Sequence, residues 1–118
     1  MTAKNWLRLE RESPSGTLDT RRYYPDQQLT RQNMINWDRS GLGTTEVLLL
    51  DGTDINLGAK VLAIEGILGI VVWPGCLQAR IADPAVWIDV EPQLATVLAE
   101  FTGAETYQIV DSPQQIDS

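Results

Sequence analysis

Few side chains in this sequence could carry catalytic chemistry. The chain of 118 residues contains no histidine and a single cysteine, Cys76. A cysteine nucleophile needs a nearby base or positive charge, and serine triads use histidine as their base. Cys76 follows the turn-forming sequence Trp73-Pro74-Gly75, which predicts a hairpin at this place. Because the chain has no histidine to act as a base, we expect the Cys76 thiol to be inert. We therefore expect no catalytic residue and no enzyme activity, with a catalytic carboxylate pair as the remaining formal alternative.

An oxygen-rich segment, Asp51-Gly52-Thr53-Asp54-Ile55-Asn56, is the first place to look for a metal site. Its two carboxylates are fewer than calcium or magnesium sites usually provide, and their spacing does not match an EF-hand loop. A turn at Asp51-Gly52, followed by a helix that Asp54 caps, explains the same residues. We therefore expect no metal site and no cofactor.

Helical and strand patterns alternate from residue 44 to residue 110. Leu94, Val97, Leu98 and Phe101 have helical spacing, and Gly103 is a typical stop signal. The predicted elements are a strand at 44–50, a helix at 55–65, a hairpin of strands at 67–73 and 76–81, a helix at 91–101 and a strand at 106–110. This order, βαββαβ, predicts an α+β fold of the ferredoxin-like split βαβ sandwich type.

The charge pattern divides the chain near residue 43. Residues 1–43 carry seven of the nine bases and five acids, whereas the rest carries two bases and eleven acids. We therefore predict a polar N-terminal extension or arm at 1–43, a ferredoxin-like domain at 44–110 and a polar tail at 111–118. The acidic body repels phosphate backbones and argues against nucleic-acid binding. It favours simple solubility, docking of a basic partner, or attraction between the body and its own N-terminal segment.

The candidate partner-binding residues are arginines and aromatic side chains, which are enriched at interface anchor points. One group is consecutive in the N-terminal segment, where the alternative is that the segment packs along the protein's own sheet. The other group comes from the four tryptophans, most of which we expect to fill the core. The candidates are Arg21, Arg22, Tyr23, Tyr24, Trp37, Trp73 and Trp87.

The stretch Ile64-Glu65-Gly66-Ile67-Leu68-Gly69-Ile70-Val71-Val72 resembles the passage from helix to second strand in small heavy-metal-associated domains. The resemblance is one of element order over residues 44–110, and it implies the ferredoxin-like fold. Those domains bind soft metals through a Cys-x-x-Cys pair in the loop after the first strand. The corresponding loop here, 51–56, has no cysteine, so the metal function does not carry over.

Two other phrases, Asn5-Trp6-Leu7-Arg8-Leu9-Glu10-Arg11 and Asn36-Trp37-Asp38-Arg39, resemble small accessory subunits of the cyanobacterial and chloroplast NDH-1 complex, such as those of the subunit V type. The resemblance implies a subunit that binds no redox centre and supports ferredoxin docking or complex stability. It also implies photosynthetic electron transport as the setting, with the protein peripheral on the cytoplasmic face of a thylakoid membrane.

From these patterns we expect a non-catalytic accessory or regulatory subunit that docks on a larger protein assembly. No apolar run approaches the roughly 20 residues of a membrane-spanning helix, so we expect a soluble, cytoplasmic protein without direct membrane insertion. The alternative is a small-ligand-binding regulatory domain that acts as a homo-oligomer.

Overall fold

Strands and helices form a mixed α+β domain in the computed structural model, which describes residues 6–13, 18–30, 34–38, 41–42 and 52–111. The described strands are β1 (Trp6–Glu12), β2 (Thr20–Pro25), β3 (Ile35–Asp38), β4 (Gly41–Leu42), β5 (Ile67–Trp73), β6 (Cys76–Ile81) and β7 (Thr106–Asp111). The described helices are α1 (Gly52–Leu62) and α2 (Trp87–Thr102), and a 3-10 turn at Pro84–Val86 leads into α2. The predicted α+β class is confirmed.

The described strands belong to one sheet in the order β4-β3-β5-β6-β2-β1-β7. Only the β1–β7 pair is parallel among these neighbours, and the other pairs are antiparallel. In the predicted ferredoxin-like order, all strands of the sheet come from residues 44–110. In this sheet β1 and β2 lie between β6 and β7, so the strand order departs from that prediction.

The N-terminal segment therefore belongs to the sheet, which corrects the expectation of an extension or arm at 1–43. β2 pairs with β6, with Tyr23 opposite Leu77, and β1 pairs with β7 from Trp6 to Arg11. Leu7 and Leu9 are buried in the core. The alternation of leucine with charged residues in β1 is a strand signal, because successive side chains point to opposite faces. The predicted strand at 44–50 and the tail after residue 111 lie outside the described residues.

The elements predicted between residues 55 and 110 are present with shifted ends. β5 and β6 have the predicted bounds, and β7 continues one residue further, to Asp111. α2 begins at Trp87, four residues before the prediction, so Pro92 lies inside the helix. Gly103 ends α2 in the left-handed conformation at φ 85°, as its sequence position predicts.

Both helices lie on one face of the sheet and share a single core with it. The core includes Leu57 and Val61 of α1, Leu94 and Leu98 of α2, and alternate residues of the strands, such as Leu77 of β6. The opposite face of the sheet carries the remaining strand side chains, because strand residues alternate between faces. Within the described residues, neither helix is long and apolar enough to cross a membrane.

Candidate partner-binding site

The largely buried carboxylate of Glu91 joins α2 to β1 and β2. Glu91 of α2 accepts hydrogen bonds from Arg11 Nη1 at 2.7 Å, Arg21 Nη1 at 2.8 Å and the Tyr23 hydroxyl at 2.7 Å. Arg11 also donates from Nε and Nη2 to Asp111 Oδ1 at 2.9 and 2.7 Å. The Glu91 side chain is only 13% exposed. These ion pairs join the basic N-terminal segment to the acidic body, which was one of the three alternatives that the charge pattern left open.

The indole of Trp87 packs beside this cluster. The Arg21 guanidinium lies 4.6 Å from the centroid of the Trp87 ring, a cation–π distance. The Trp87 Nε1 donates to the backbone oxygen of Leu18 at 2.9 Å, which satisfies the buried indole. Arg21 and Trp87 therefore hold the entry to β2 against α2.

Three predicted interface residues are buried in the core and are not available to a partner. Tyr23, Trp37 and Trp87 are 1%, 5% and 4% exposed, respectively. Their burial corrects the prediction, because a side chain of the closed core cannot be an interface anchor. Arg21, which bonds Glu91, also serves the internal cluster. The remaining candidates, Arg22, Tyr24 and Trp73, lie on the opposite side of the sheet.

We call that side of the sheet the open face. It is defined by the strand residues whose side chains alternate with those of the core, and its described polar and aromatic members include Trp6, Arg8, Glu10, Glu12, Arg22, Tyr24, Asn36, Trp73, Cys76, Gln78 and Arg80. Trp6 is 39% exposed, and the side chains of Arg8 and Arg22 are 44% and 40% exposed. The open face is thus a surface on which the described aromatic and arginine side chains remain accessible.

A polar network fixes the centre of the open face. The Tyr24 hydroxyl donates to Glu12 Oε1 at 2.7 Å, and Arg22 Nε donates to Gln78 Oε1 at 2.8 Å. Arg22 Nη1 also lies 3.7 Å from Glu12 Oε1. Because each polar group restrains the next, the Arg22 and Tyr24 side chains are held in defined positions before any partner arrives.

Cys76 lies under this network and is not activated. Burial raises the pKa of the Cys76 thiol to about 11, even though Tyr24 and Arg22 nearby lower it. Burial likewise raises the pKa of Tyr24 to about 12, with a further contribution from its bond to Glu12. A thiol with a raised pKa is a poor nucleophile at neutral pH, which agrees with the inert thiol predicted from sequence.

A shallow depression of about 280 Å³ opens between β3, β5 and β6. Its lining includes Asn36, Gly69, Val71, Gln78 and Arg80. On the open face Val71 lies opposite both Asn36 and Gln78, and Gly69 lies opposite Arg80. Gly69, which has no side chain, is part of this lining.

The residues that organise the Glu91 cluster and the polar network of the open face were not predicted from the sequence. Glu91 lies three residues before Leu94 and seven before Leu98, so it falls on the apolar stripe of α2. A carboxylate at such a position signals a buried partner, and Arg11 in register with Leu7 and Leu9 on β1 is the matching signal. Glu12 and Gln78 gave no comparable signal, because polar residues are ordinary on the outer face of a strand.

Within the described residues, no group of three or more acidic or cysteine side chains could hold a metal ion. The oxygen-rich loop at 51–56 lies partly outside the described residues. Its Gly52 begins α1, so the predicted helix starts within that loop.

No protein-family model matches the sequence, and a comparison with curated proteins gives no match. Two solved structures are similar in fold. Protein SAV1430 from Staphylococcus aureus is 14% identical, with 76% of this chain and 93% of that chain covered and a TM-score of 0.53. A NifU-like protein from Saccharomyces cerevisiae is 12% identical, with 85% and 82% covered and a TM-score of 0.59. At these identities the likeness concerns the fold alone, and the chain shares its α+β architecture with a NifU-like protein.

Proposed function

We propose that this protein is a non-catalytic accessory or regulatory subunit that docks on a larger protein assembly through the open face. The observation that carries the proposal is the preorganised pair Arg22 and Tyr24 at the centre of that face. Arginine and tyrosine are enriched at interface anchor points, and anchors that are already held lose little entropy on binding. Trp6 and Trp73, at other places on the same face, add apolar contact area.

The environments of Glu91 and Glu12 support a role other than acid–base catalysis for these two carboxylates. Glu91 accepts hydrogen bonds from two guanidinium groups and a phenol, and Glu12 accepts from Tyr24 and lies beside Arg22. A general base needs a free lone pair directed at a substrate. Both clusters instead use their carboxylates to hold the fold and to orient surface side chains.

The resemblance of two sequence phrases to NDH-1 accessory subunits names one assembly to test. In that setting the protein is cytoplasmic or peripheral on a thylakoid membrane, contains no redox centre and supports ferredoxin docking or complex stability. The open face then carries the contact with the complex. Trp6 and Asn36, both from those phrases, lie on the open face.

Site-specific photo-crosslinking tests the docking surface directly. A photoreactive phenylalanine analogue replaces Trp73 on the open face or Ile88 on the helical side, which is 79% exposed. In cells of the source organism, position 73 should give a discrete crosslinked protein and position 88 should not. Mass spectrometry identifies the captured protein. Equal crosslinking from both positions, or none from position 73 across the growth conditions tried, would exclude docking through the open face.

The depression at Gly69 favours a second candidate, a regulatory domain that binds a small ligand. That alternative predicts a ligand-dependent rise in Tm and a homo-oligomer. Differential scanning fluorimetry against a metabolite panel, together with light scattering, separates it from the docking proposal.

A further inference from the structure

Arg80, which lies at the rim of the depression, has no acidic partner among the described residues. The other arginines that the structure describes all have one. Arg8, Arg11, Arg21 and Arg22 each lie within 4.0 Å of a carboxylate oxygen. Arg80 is exposed, and it lines the depression. A guanidinium offers five donors in a fork that fits a carboxylate in two parallel bonds. Its bonding capacity is therefore open to a ligand.

Gln78 adds a second donor to the same depression. Its Oε1 accepts from Arg22 Nε at 2.8 Å, which fixes the orientation of the amide. The amino group is consequently the end of the amide that remains for an external acceptor. Gln78 and Arg80 are two residues apart on β6 and lie on the same face, so their donors can serve one ligand.

Gly69 lies in the lining of the depression and is itself buried. It faces Arg80 on β6 and Asp38 on β3 in the strand register. The pairing of β5 with β6 is irregular between Ile67 and Gly69, and such irregularities often re-aim side chains next to binding sites. The donors of Arg80 and Gln78 both belong to β6, so an acidic ligand is favoured on that side of the depression.

From these features we propose that the depression is a carboxylate-binding site, in which Arg80 and Gln78 receive an acidic side chain of the docked partner while Val71 contacts its methylene groups. This proposal rests on the proposed docking function. It specifies that the partner presents a carboxylate at this point of the interface. It reverses the expectation of a basic partner at this place on the surface.

Nuclear magnetic resonance titration with N-acetylglutamate N-methylamide and its neutral analogue N-acetylglutamine N-methylamide tests the carboxylate specificity on the intact protein. The two probes have the same blocked backbone, so they differ only in the side-chain carboxylate. N-Acetylglutamate N-methylamide should shift the Gly69 backbone amide, the Gln78 side-chain amide and Arg80 Nε, and N-acetylglutamine N-methylamide should not. Arg80→Gln should weaken binding at least about tenfold, as expected for loss of a charge-assisted bond. Lys60→Gln, which removes the same charge from α1, should leave the affinity unchanged.

Equal shifts with the two ligands, or equal affinity of the Arg80→Gln and wild-type proteins, would overturn the carboxylate site even if docking itself is real. Because Arg80 is exposed, both variants should fold, and the amide spectra verify this. Gln78→Leu provides a second variant, since it removes the other donor of the depression and should also weaken binding.

The second part of the test repeats the photo-crosslinking from position 73 in the Arg80→Gln variant. A loss of crosslinking supports an acidic side chain of the partner as the occupant. If N-acetylglutamate N-methylamide binds but crosslinking is undiminished, the assignment to the partner is overturned and the carboxylate comes from a small molecule. If position 73 gives no crosslink even in the wild-type background, the docking function fails while the titration result stands by itself.

Discussion

The hydroxyl of Tyr23 donates a 2.7 Å hydrogen bond to Glu91, which lies 68 positions away in the sequence. This bond and the two arginine contacts attach α2 to β1 and β2, which lie between β6 and β7 in the sheet. The basic segment and the acidic body therefore form one folded unit.

Replacing Glu91 should strongly destabilise the protein. Glu91→Ala leaves Arg11, Arg21 and Tyr23 without their shared acceptor in a largely buried site. Removing one partner of a buried ion pair costs about 3–5 kcal/mol, and the 13% exposure of Glu91 with the second partner of Arg11 places the expected loss at about 3 kcal/mol. Urea denaturation measures the change in the free energy of unfolding.

The matched control for this prediction is Glu100→Gln, which removes an exposed carboxylate from the same helix. Its effect should stay within about 0.5 kcal/mol, as for most surface substitutions. A similar loss for both variants would show that the Glu91 cluster contributes nothing specific.

The stability of the protein should fall as the pH rises above about 10, the ordinary pKa of tyrosine. Burial and the bond to Glu91 raise the pKa of Tyr23 well above that value in the folded state. Above pH 10 the unfolded chain therefore loses the Tyr23 proton while the folded chain keeps it, which favours unfolding. Below pH 10 both states hold the proton, and this contribution to stability is fully present.

Tyr23→Phe should reduce the slope of stability against pH between about 10 and 12, by up to about 1.4 kcal/mol per pH unit. Chemical denaturation at a series of alkaline pH values measures this slope in both proteins. Parallel curves for the wild type and the variant would contradict the raised pKa.

Cys76 should react slowly with thiol reagents in the folded protein. With a pKa of about 11, the thiolate is a very small fraction at pH 8, and the side chain is 8% exposed. Reaction with Ellman's reagent should therefore be at least about 100-fold slower in the native state than in 6 M urea. Comparable rates in the two states would show that the open face is looser around Cys76 than its hydrogen bonds indicate.

Gly58→Ala should destabilise the packing of α1 on the sheet. An added Cβ lies 2.6 Å from Cε2 of the buried Trp37 ring, which must then move. The helical preference of alanine over glycine stabilises the variant by about 1 kcal/mol, while overpacking costs about 1–3 kcal/mol, so we expect a net loss of up to about 2 kcal/mol. Thermal unfolding followed by circular dichroism measures the change.

Gly75→Ala serves as its control, because no atom lies within 4 Å of the added Cβ in that turn. This variant should unfold within a few degrees of the wild type. Greater stability of Gly58→Ala than of the wild type would mean that the Trp37 ring adjusts at little cost.

The sequence by itself determined the local elements of residues 52–111. The hairpin of β5 and β6, the periodic face of α2 and its end at Gly103 follow from side-chain alternation, helical spacing and turn chemistry within a few neighbouring residues. Such short-range preferences do not depend on long-range contacts, so they can be predicted from a single sequence.

Only the tertiary structure decided where β1 and β2 lie and which aromatic residues face outward. Placing β2 beside β6 requires pairing of Tyr23 with Leu77, and no local pattern specifies a partner strand so far along the chain. Arg11 and Arg21 look like surface charges in the sequence, but Glu91 pairs with both, and their side chains are only 28% and 25% exposed. The alternation of side chains along the strands places Tyr23 in the core and Tyr24 and Trp73 on the open face, and the packing of α2 on the sheet buries Trp87.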